Sequence, residues 1–321
     1  MENNLPEIDL SSLSTQATIA ALDHACSEWG FFYLVGHDID VQQQQEIWAT
    51  TRAFFTQPTA IKNQIRRNET NSWGFYDAEL TKNRRDWKEI LDIGPTADTG
   101  PLAGSYPQWP DLAGFRDVAE RLSGQMHEIA LQLVAAIARA LDSSEDLLAP
   151  FNDHSSYLRI NYYPECEDPA AADSDVVPDT GHLGVSHHTD AGAVSVLLQD
   201  DVAGLQVYNA GMFRTIEPYK DALVINLGDI VQVWSNDRYQ APVHRVLVNT
   251  GAGRISIPYF LNPSYDYDYS PLSGVVDDSR PPRYRPINWG EFRSRRSAGD
   301  YTDLGDEVQI SHYRDNTVHQ P

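Results

Sequence analysis

Apolar residues change their spacing near residue 150, which splits the chain into a helical first half and a strand-rich second half. Ile19, Leu22, Cys26 and Trp29 recur at three- and four-residue intervals, which predicts an amphipathic helix over 15–29 with Gly30 placed to cap it. Residues 31–35 form a short apolar run that reads as a strand, and 41–55 reads as a second helix broken near Pro58. The stretch 68–104 has no clear period and suits a long loop carrying short strands. The clearest helix spans 111–141. There Phe115, Val118, Leu122, Met126, Ile129, Leu133, Ile137 and Leu141 make one continuous apolar stripe, the mark of a helix laid on a core. His127 beside that stripe reads as a packed or surface histidine.

From Ser156 onward the runs shorten. Residues 157–163, 193–198, 204–207, 222–227, 230–234, 244–248 and 254–260 all read as strands, separated by Gly, Asn, Asp and Pro. Many short strands without intervening helices predict a sandwich or jelly roll. After Ser264 the chain turns polar and rich in Pro and Arg, which suits a tail wrapped around the barrel.

At 321 residues the chain is long enough to bury a substantial core, and its 41% hydrophobic content is ordinary for a globular protein. Acidic residues outnumber basic ones 46 to 24, and the net charge of −22 repels phosphate backbones and anionic bilayers. Neither nucleic acid nor membrane is therefore expected as a partner. No apolar segment is long enough to span a bilayer, and residues 1–10 lack the basic start of a signal peptide. The two cysteines, Cys26 and Cys166, cannot build a disulfide framework or a Cys-rich metal site. Cys26 reads as a small core residue and Cys166 as a loop residue with a free thiol. These features make a cytoplasmic protein the expectation, as a monomer or weak homo-oligomer.

The candidate chemistry lies in two pairs. In an extended strand alternate side chains share a face, so His188 and Asp190 of His188-Thr189-Asp190 would point the same way, and His244 from another strand would complete a set of three. Two histidines and a carboxylate with open positions suit non-haem Fe(II). His187 would face away from Asp190, and His182 lies in a loop. His24, His37 and His154 have no carboxylate at matching strand spacing, and His312 and His319 lie in the tail. Ten residues after His244, Arg254 and Ser256 again share a strand face. An arginine inside a barrel is costly unless it meets an anion, and its planar fork suits a carboxylate. A dicarboxylate chelating a metal at one end would reach this pair with the other. A zinc hydrolase using the same three ligands leaves Arg254 without a purpose.

Several segments resemble, in order, the isopenicillin N synthase-like family of Fe(II)/2-oxoglutarate-dependent dioxygenases. They are Pro6-Glu7-Ile8-Asp9-Leu10, Trp29-Gly30-Phe31-Phe32, Asn161-Tyr162-Tyr163-Pro164, His188-Thr189-Asp190, Gly204-Leu205-Gln206, Asn226-Leu227-Gly228-Asp229, His244-Arg245-Val246 and Arg254-Ile255-Ser256. The resemblance implies a mixed α and β fold, a double-stranded β-helix (jelly-roll) core with flanking N-terminal helices and a long helix packed on the major sheet. It divides one structural unit into an N-terminal region 1–110, a supporting helix 111–150, a β-core 151–265 and a tail 266–321.

By position, the resemblance implies iron on His188, Asp190 and His244. It implies 2-oxoglutarate on Arg254 and Ser256, a hydroxyl donated to it by Tyr163, and Asn161 close to the metal. Tyr162 would face the opposite side, and His37 and Trp234 would be structural. The implied reaction uses O2, with ascorbate assisting, to couple decarboxylation of 2-oxoglutarate to C–H oxidation of a small molecule. Hydroxylation is the foremost outcome. An Fe(II) oxidase or cyclase that dispenses with 2-oxoglutarate, as isopenicillin N synthase does, stays open beside it. So does a catalytically silent barrel that binds a small molecule. From where the family places its substrate, Trp73, Phe75, Tyr76, Arg85 and Phe260 are the candidate contacts, with Arg84 or Arg85 available to an acidic group.

Overall fold

Strand by strand, the second half of the chain alternates between two facing sheets. The structure, a computed structural model, describes residues 5–98, 100–300, 302–303, 305 and 307–315. Numbered in chain order, the strands of the major sheet lie side by side as β1 (Glu7–Asp9), β2 (Phe31–Val35), β12 (Leu223–Leu227), β9 (Val194–Gln199), β14 (Arg254–Leu261), β7 (Tyr157–Tyr163), β6 (Glu89–Ile93) and β3 (Gly74–Tyr76). The minor sheet runs β11 (Met212–Thr215), β10 (Leu205–Asn209), β13 (His244–Leu247) and β8 (Leu183–His188). Strands β7, β9, β12 and β14 thus belong to one sheet and the intervening β8, β10 and β13 to the other, which is the jelly-roll pattern. Two ribbons, β4 (Leu80–Thr81) with β5 (Arg84–Arg85) and β15 (Asp268–Tyr269) with β16 (Ile287–Asn288), decorate it.

The major sheet is buried on both faces, and period-two alternation sorts its residues. On β14, Ile255, Ile257, Tyr259 and Leu261 enter the helix-side core, whereas Arg254, Ser256, Pro258 and Phe260 line the interior cavity. On β7, Leu158 and Ile160 face the helices, and Tyr157, Arg159, Asn161 and Tyr163 face inward. On the helix side, α1 (Gln16–Glu28) and α2 (Val41–Phe55) pack on α4 (Phe115–Ala140), which in turn lies on β9 and β14. Seven of the eight residues of the predicted stripe are buried, Val118 being partly so. The remaining helices are α3 (Thr59–Lys62), α5 (Asp229–Trp234) and α6 (Trp289–Ala298).

Three expectations are corrected. Residues 230–234, read as a strand, belong to the helix α5, whose six residues are all buried. A short run that is buried on every side carries no period to separate the two. Within the stretch read as irregular, β6 is an interior strand of the major sheet. Its Asp92, buried opposite Arg159, disguises it as polar loop. The polar tail holds α6, capped by the Asn288 side chain and anchored in the core by Trp289 and Phe292. Cys166 is a free thiol but a buried one, and His319 lies outside the described residues.

Where α4 meets the sheet, His127 bonds the Tyr259 hydroxyl at 2.9 Å and its ring lies 4.4 Å from that of His154. Burial, with the charge of His127 adding to it against Asp153, pushes His154 down to about 4 from 6.5. The unfolded chain therefore binds the extra proton between those values, so stability is intact above pH 6.5 and is lost as pH falls toward 4. The full shift is worth roughly 3 kcal/mol; partial exposure reduces this to about 1 kcal/mol. Denaturant unfolding at pH 7 and pH 5 is expected to show that loss, and His154→Gln is expected to reduce it. An unchanged pH slope in the variant would assign the loss elsewhere.

Candidate metal and co-substrate site

Strand register assembles the first half of the site. His244 on β13 stands opposite His188 on β8, and the two rings lie 4.3 Å apart. Strand β8 ends at His188, so the expected shared strand face is replaced by a short loop that carries Asp190 to the rings. Asp190 Oδ1 lies 3.7 Å from Nε2 of both histidines. His188 Nδ1 faces the Ser186 carbonyl at 2.8 Å, and His244 Nδ1 the Pro242 carbonyl at 3.0 Å. A carbonyl only accepts, so each Nδ1 carries the proton and each Nε2 keeps its lone pair for the shared centre. Asp190 Oδ2 is held by the Asn226 amide at 2.7 Å and by the Ser195 hydroxyl, which leaves Oδ1 free.

The electrostatics agree with this geometry. Burial and the neighbouring charge of His244 hold His188 well below its usual range. Burial raises Asp190, but the two histidines and its two side-chain donors outweigh it and keep the carboxyl low. Two imidazole Nε2 atoms converging on a carboxylate form the donor set that takes a divalent cation.

The second half comes from β7 and β14, where Asn161 stands opposite Ser256 and Tyr163 opposite Arg254. Opposed residues of an antiparallel pair share a face, so all four side chains meet in the same cavity as the metal cluster. Asn161 Nδ2 lies 3.3 Å, and Tyr163 Oη 3.4 Å, from Ser256 Oγ. Arg254 is almost fully buried, with Nε on the Val202 carbonyl at 3.1 Å and Nη2 on Gln199 at 3.0 Å. Its Nη1 is buried without a hydrogen-bond partner among the described residues. A Cβ on Gly204 would lie 2.9 Å from the Leu247 carbonyl and 3.0 Å from Arg254 Cδ, so only glycine leaves room for the arginine stem. A carboxylate is the partner this guanidinium lacks.

Two family matches cover this architecture. Residues 154–263 match the 2OG-Fe(II) oxygenase superfamily, and residues 5–112 the non-haem dioxygenase in morphine synthesis N-terminal family. The chain is 30% identical over 301 residues to jasmonate-induced oxygenase 1 of Arabidopsis thaliana, covering 90% of this chain and 72% of that protein. Gibberellin 2-beta-dioxygenase 6 of Oryza sativa subsp. japonica is 31% identical over 310 residues, covering 92% and 81% respectively. The chain belongs to the 2OG-Fe(II) oxygenase superfamily. Among solved structures, JOX2 in complex with 2OG, Fe and JA superimposes with a TM-score of 0.81 at 26% identity, covering 97% of this chain and 89% of its own. A full-length Neurospora crassa protein in complex with alpha-KG gives 0.77 at 27% identity, covering 92% and 96%. The protein is accordingly an Fe(II)- and 2-oxoglutarate-dependent dioxygenase that consumes O2.

The oxygenase's predicted substrate contacts separate in space. Phe260 lines the cavity beside Tyr157, ring centres 5.0 Å apart. Trp73 stands behind Tyr157 at 5.3 Å and lines a neighbouring recess instead. Phe75 is corrected outright, because alternation on β3 sends it to the helix-side core against Phe54. Tyr76 lies under the guanidinium of Arg67, 4.0 Å from its ring centre. Arg85 is exposed and donates to the Asp77 carbonyl, and Arg84 donates to that of Pro178.

Sequence reasoning gives no role to Asn226, Ser195 or α6. From α6, Arg296 Nη2 donates to the Thr189 carbonyl at 2.6 Å, and Nη1 lies 3.3 Å from the buried Asp229 carboxylate. The Asp229 amide in turn donates to the Asp190 carbonyl at 2.8 Å. Burial pushes Asp229 up to about 6, against the pull of Arg296. Arg296 thus fixes the loop that presents Asp190. Arg296→Gln with Asp229→Asn, which avoids a stranded buried charge, is expected to weaken Co(II) affinity by about 10-fold or more in anaerobic titration. Unaltered Co(II) affinity would show that the loop holds its shape without α6.

Proposed function

We propose that His188, Asp190 and His244 hold the iron, that Arg254 and Ser256 take the distal carboxylate of 2-oxoglutarate, and that Tyr163 donates its hydroxyl to it. Asn161 stands beside them, close to the metal. The product is an oxidised C–H bond, foremost a hydroxylation, on a small organic molecule seated against Phe260 and Tyr157. The observation that carries this reading is the buried Nη1 of Arg254, left without a partner among the described residues in the cavity that also holds the three metal-ligating side chains. Bound iron, with O2 and the keto acid, supplies the oxidising power. The chain's own contribution is to fix both ends of the co-substrate and to present the rings of Phe260 and Tyr157 to the substrate.

Neighbours with small-molecule ligands support the substrate size, JOX2 being solved with JA and the Neurospora crassa protein with thymine. We further read the protein as cytoplasmic, as a monomer or weak homo-oligomer. Its two cysteines are unpaired and buried, as suits a reducing compartment. No helix among the described residues is long and apolar enough to cross a membrane.

The test is release of succinate and CO2 from 2-oxoglutarate with added Fe(II) and ascorbate. His188→Ala and Asp190→Ala are expected to abolish metal binding. Arg254→Gln is expected to weaken 2-oxoglutarate about 10- to 100-fold while leaving metal affinity unchanged. Absence of both 2-oxoglutarate binding and turnover, or equal metal retention in all three variants, would refute the assignment.

A further inference from the structure

The cations of the cavity can be accounted for one at a time. Arg159 bonds Glu79 at 2.9 Å and Asp92 at 2.7 Å. Arg67 meets the same two carboxylates at 3.2 and 3.3 Å. Lys88 meets Glu79 at 2.7 Å and Asp86 at 3.0 Å. Three cations thus close on three carboxylates, and burial of Glu79 is outweighed by Arg159, Lys88 and Arg67, which hold it well below its usual range. Arg296 is committed to Thr189 and Asp229. Arg254 stands at the co-substrate end. One cation remains.

That cation is Arg293, on α6 one turn before Arg296 and on the same helix face. It lines the cavity and also the recess behind Tyr157. Among the described residues its guanidinium has neither an ion pair nor a hydrogen-bond acceptor. Against burial, the fields of Tyr157 and Asp300 hold its charged form, Asp300 without a salt bridge. Its planar fork of donors faces the cavity without an acceptor, which leaves it open to an anion.

Strand register separates this position from the co-substrate end. Along β14, Ser256 stands opposite Gln199 and Phe260 opposite Ser195. Gln199 holds Arg254, whereas Ser195 holds Asp190. From Arg254 to Phe260 the strand rises about 20 Å, too far for one five-carbon diacid to serve both arginines. The cavity that Arg293 shares with the metal cluster is also lined by Tyr157, Phe260, Pro258 and Val246.

We propose that Arg293 receives the acidic group of the substrate, which is therefore a small monocarboxylic acid with an aromatic or alicyclic body. This rests on the reading of the cavity as the oxidation site. One free planar fork matches one carboxylate. A phosphate dianion would add charge near Glu79, Asp300 and Glu307 in a chain of net charge −22.

The experiment is anaerobic titration calorimetry of the Mn(II)- and 2-oxoglutarate-loaded protein with phenylacetate, cinnamate, indole-3-acetate, jasmonate, their methyl esters and phenyl phosphate. At least one acid is expected to bind about 10-fold or more tightly than its ester. Arg293→Gln is expected to erase that preference and Arg293→Lys to keep part of it, with metal and 2-oxoglutarate affinities unchanged in both. Esters or phenyl phosphate binding as well as the acids, an acid preference that survives in Arg293→Gln, or no acid binding at all would each overturn the inference while leaving the oxidation site standing. Failure of the unaltered protein to bind Mn(II) and 2-oxoglutarate would overturn the underlying reading, and this one with it.

Discussion

Everything at the site depends on the two-residue alternation of a sheet whose outer face is locked by a helix. The stripe from Phe115 to Ile137 on α4 meets Ile255, Ile257, Val196 and Leu198 in one core, and that contact fixes which side of β9 and β14 turns outward. With the apolar set held there, Arg254, Ser256, Ser195 and Phe260 have only the cavity left to face. Side chains on a strand alternate strictly, so a one-residue slip of β14 would drive Arg254 into the hydrocarbon under α4 and empty the co-substrate pocket. Burying large aliphatic and aromatic side chains contributes roughly 1.5–3 kcal/mol apiece, which makes that slip prohibitive. The helix touches neither metal nor co-substrate, yet it sets the face from which both are bound.

Charge is organised by the same constraint. A chain with an excess of carboxylates nonetheless lines its cavity with arginines, of which Arg159 and Arg296 are matched by carboxylates. The closed set of Arg67, Lys88 and Arg159 with Glu79, Asp86 and Asp92 adds no net charge to the wall. Paired this way the groups are tolerable in a low-dielectric interior, though they do little for stability compared with an apolar packing. Against that neutral background the two guanidiniums with spare donors, Arg254 and Arg293, stand out as anion sites.

Much of this is legible in the residues. Arg254 and Ser256 announce themselves because the pair obeys the strand period, His188, Asp190 and His244 by their spacing although a loop carries Asp190, and α4 because its stripe never breaks. What fails to show has a physical reason in each case. Helix α5 is buried all round and short, so its apolar residues have no period to read. Strand β6 hides because its inward residue is a charged Asp92 whose partner, Arg159, lies 67 residues away. Phe75 reads as a substrate contact because an aromatic in an irregular segment carries no sign of which face it takes; that sign comes only from the pairing of β3 with β6. Helix α6 is polar in composition, with Trp289 and Phe292 its only large apolar residues, and its anchoring is a tertiary fact.

That last miss matters most, because α6 joins two tasks. Arg296 reaches the carbonyl beside Asp190, and Arg293, three residues earlier, faces the cavity. Residues at that spacing on a helix move together. A ligand drawn to Arg293 therefore bears on the same rigid element that steadies the metal-binding loop. Any displacement of α6 would disturb both ends at once, whereas the Arg254 pocket, built on β7, β9 and β14 with the Val202 carbonyl, takes no residue from α6. On the proposed reading, co-substrate binding is set by the sheet, and substrate binding and metal-loop geometry by the helix. The chain can vary one without rebuilding the other.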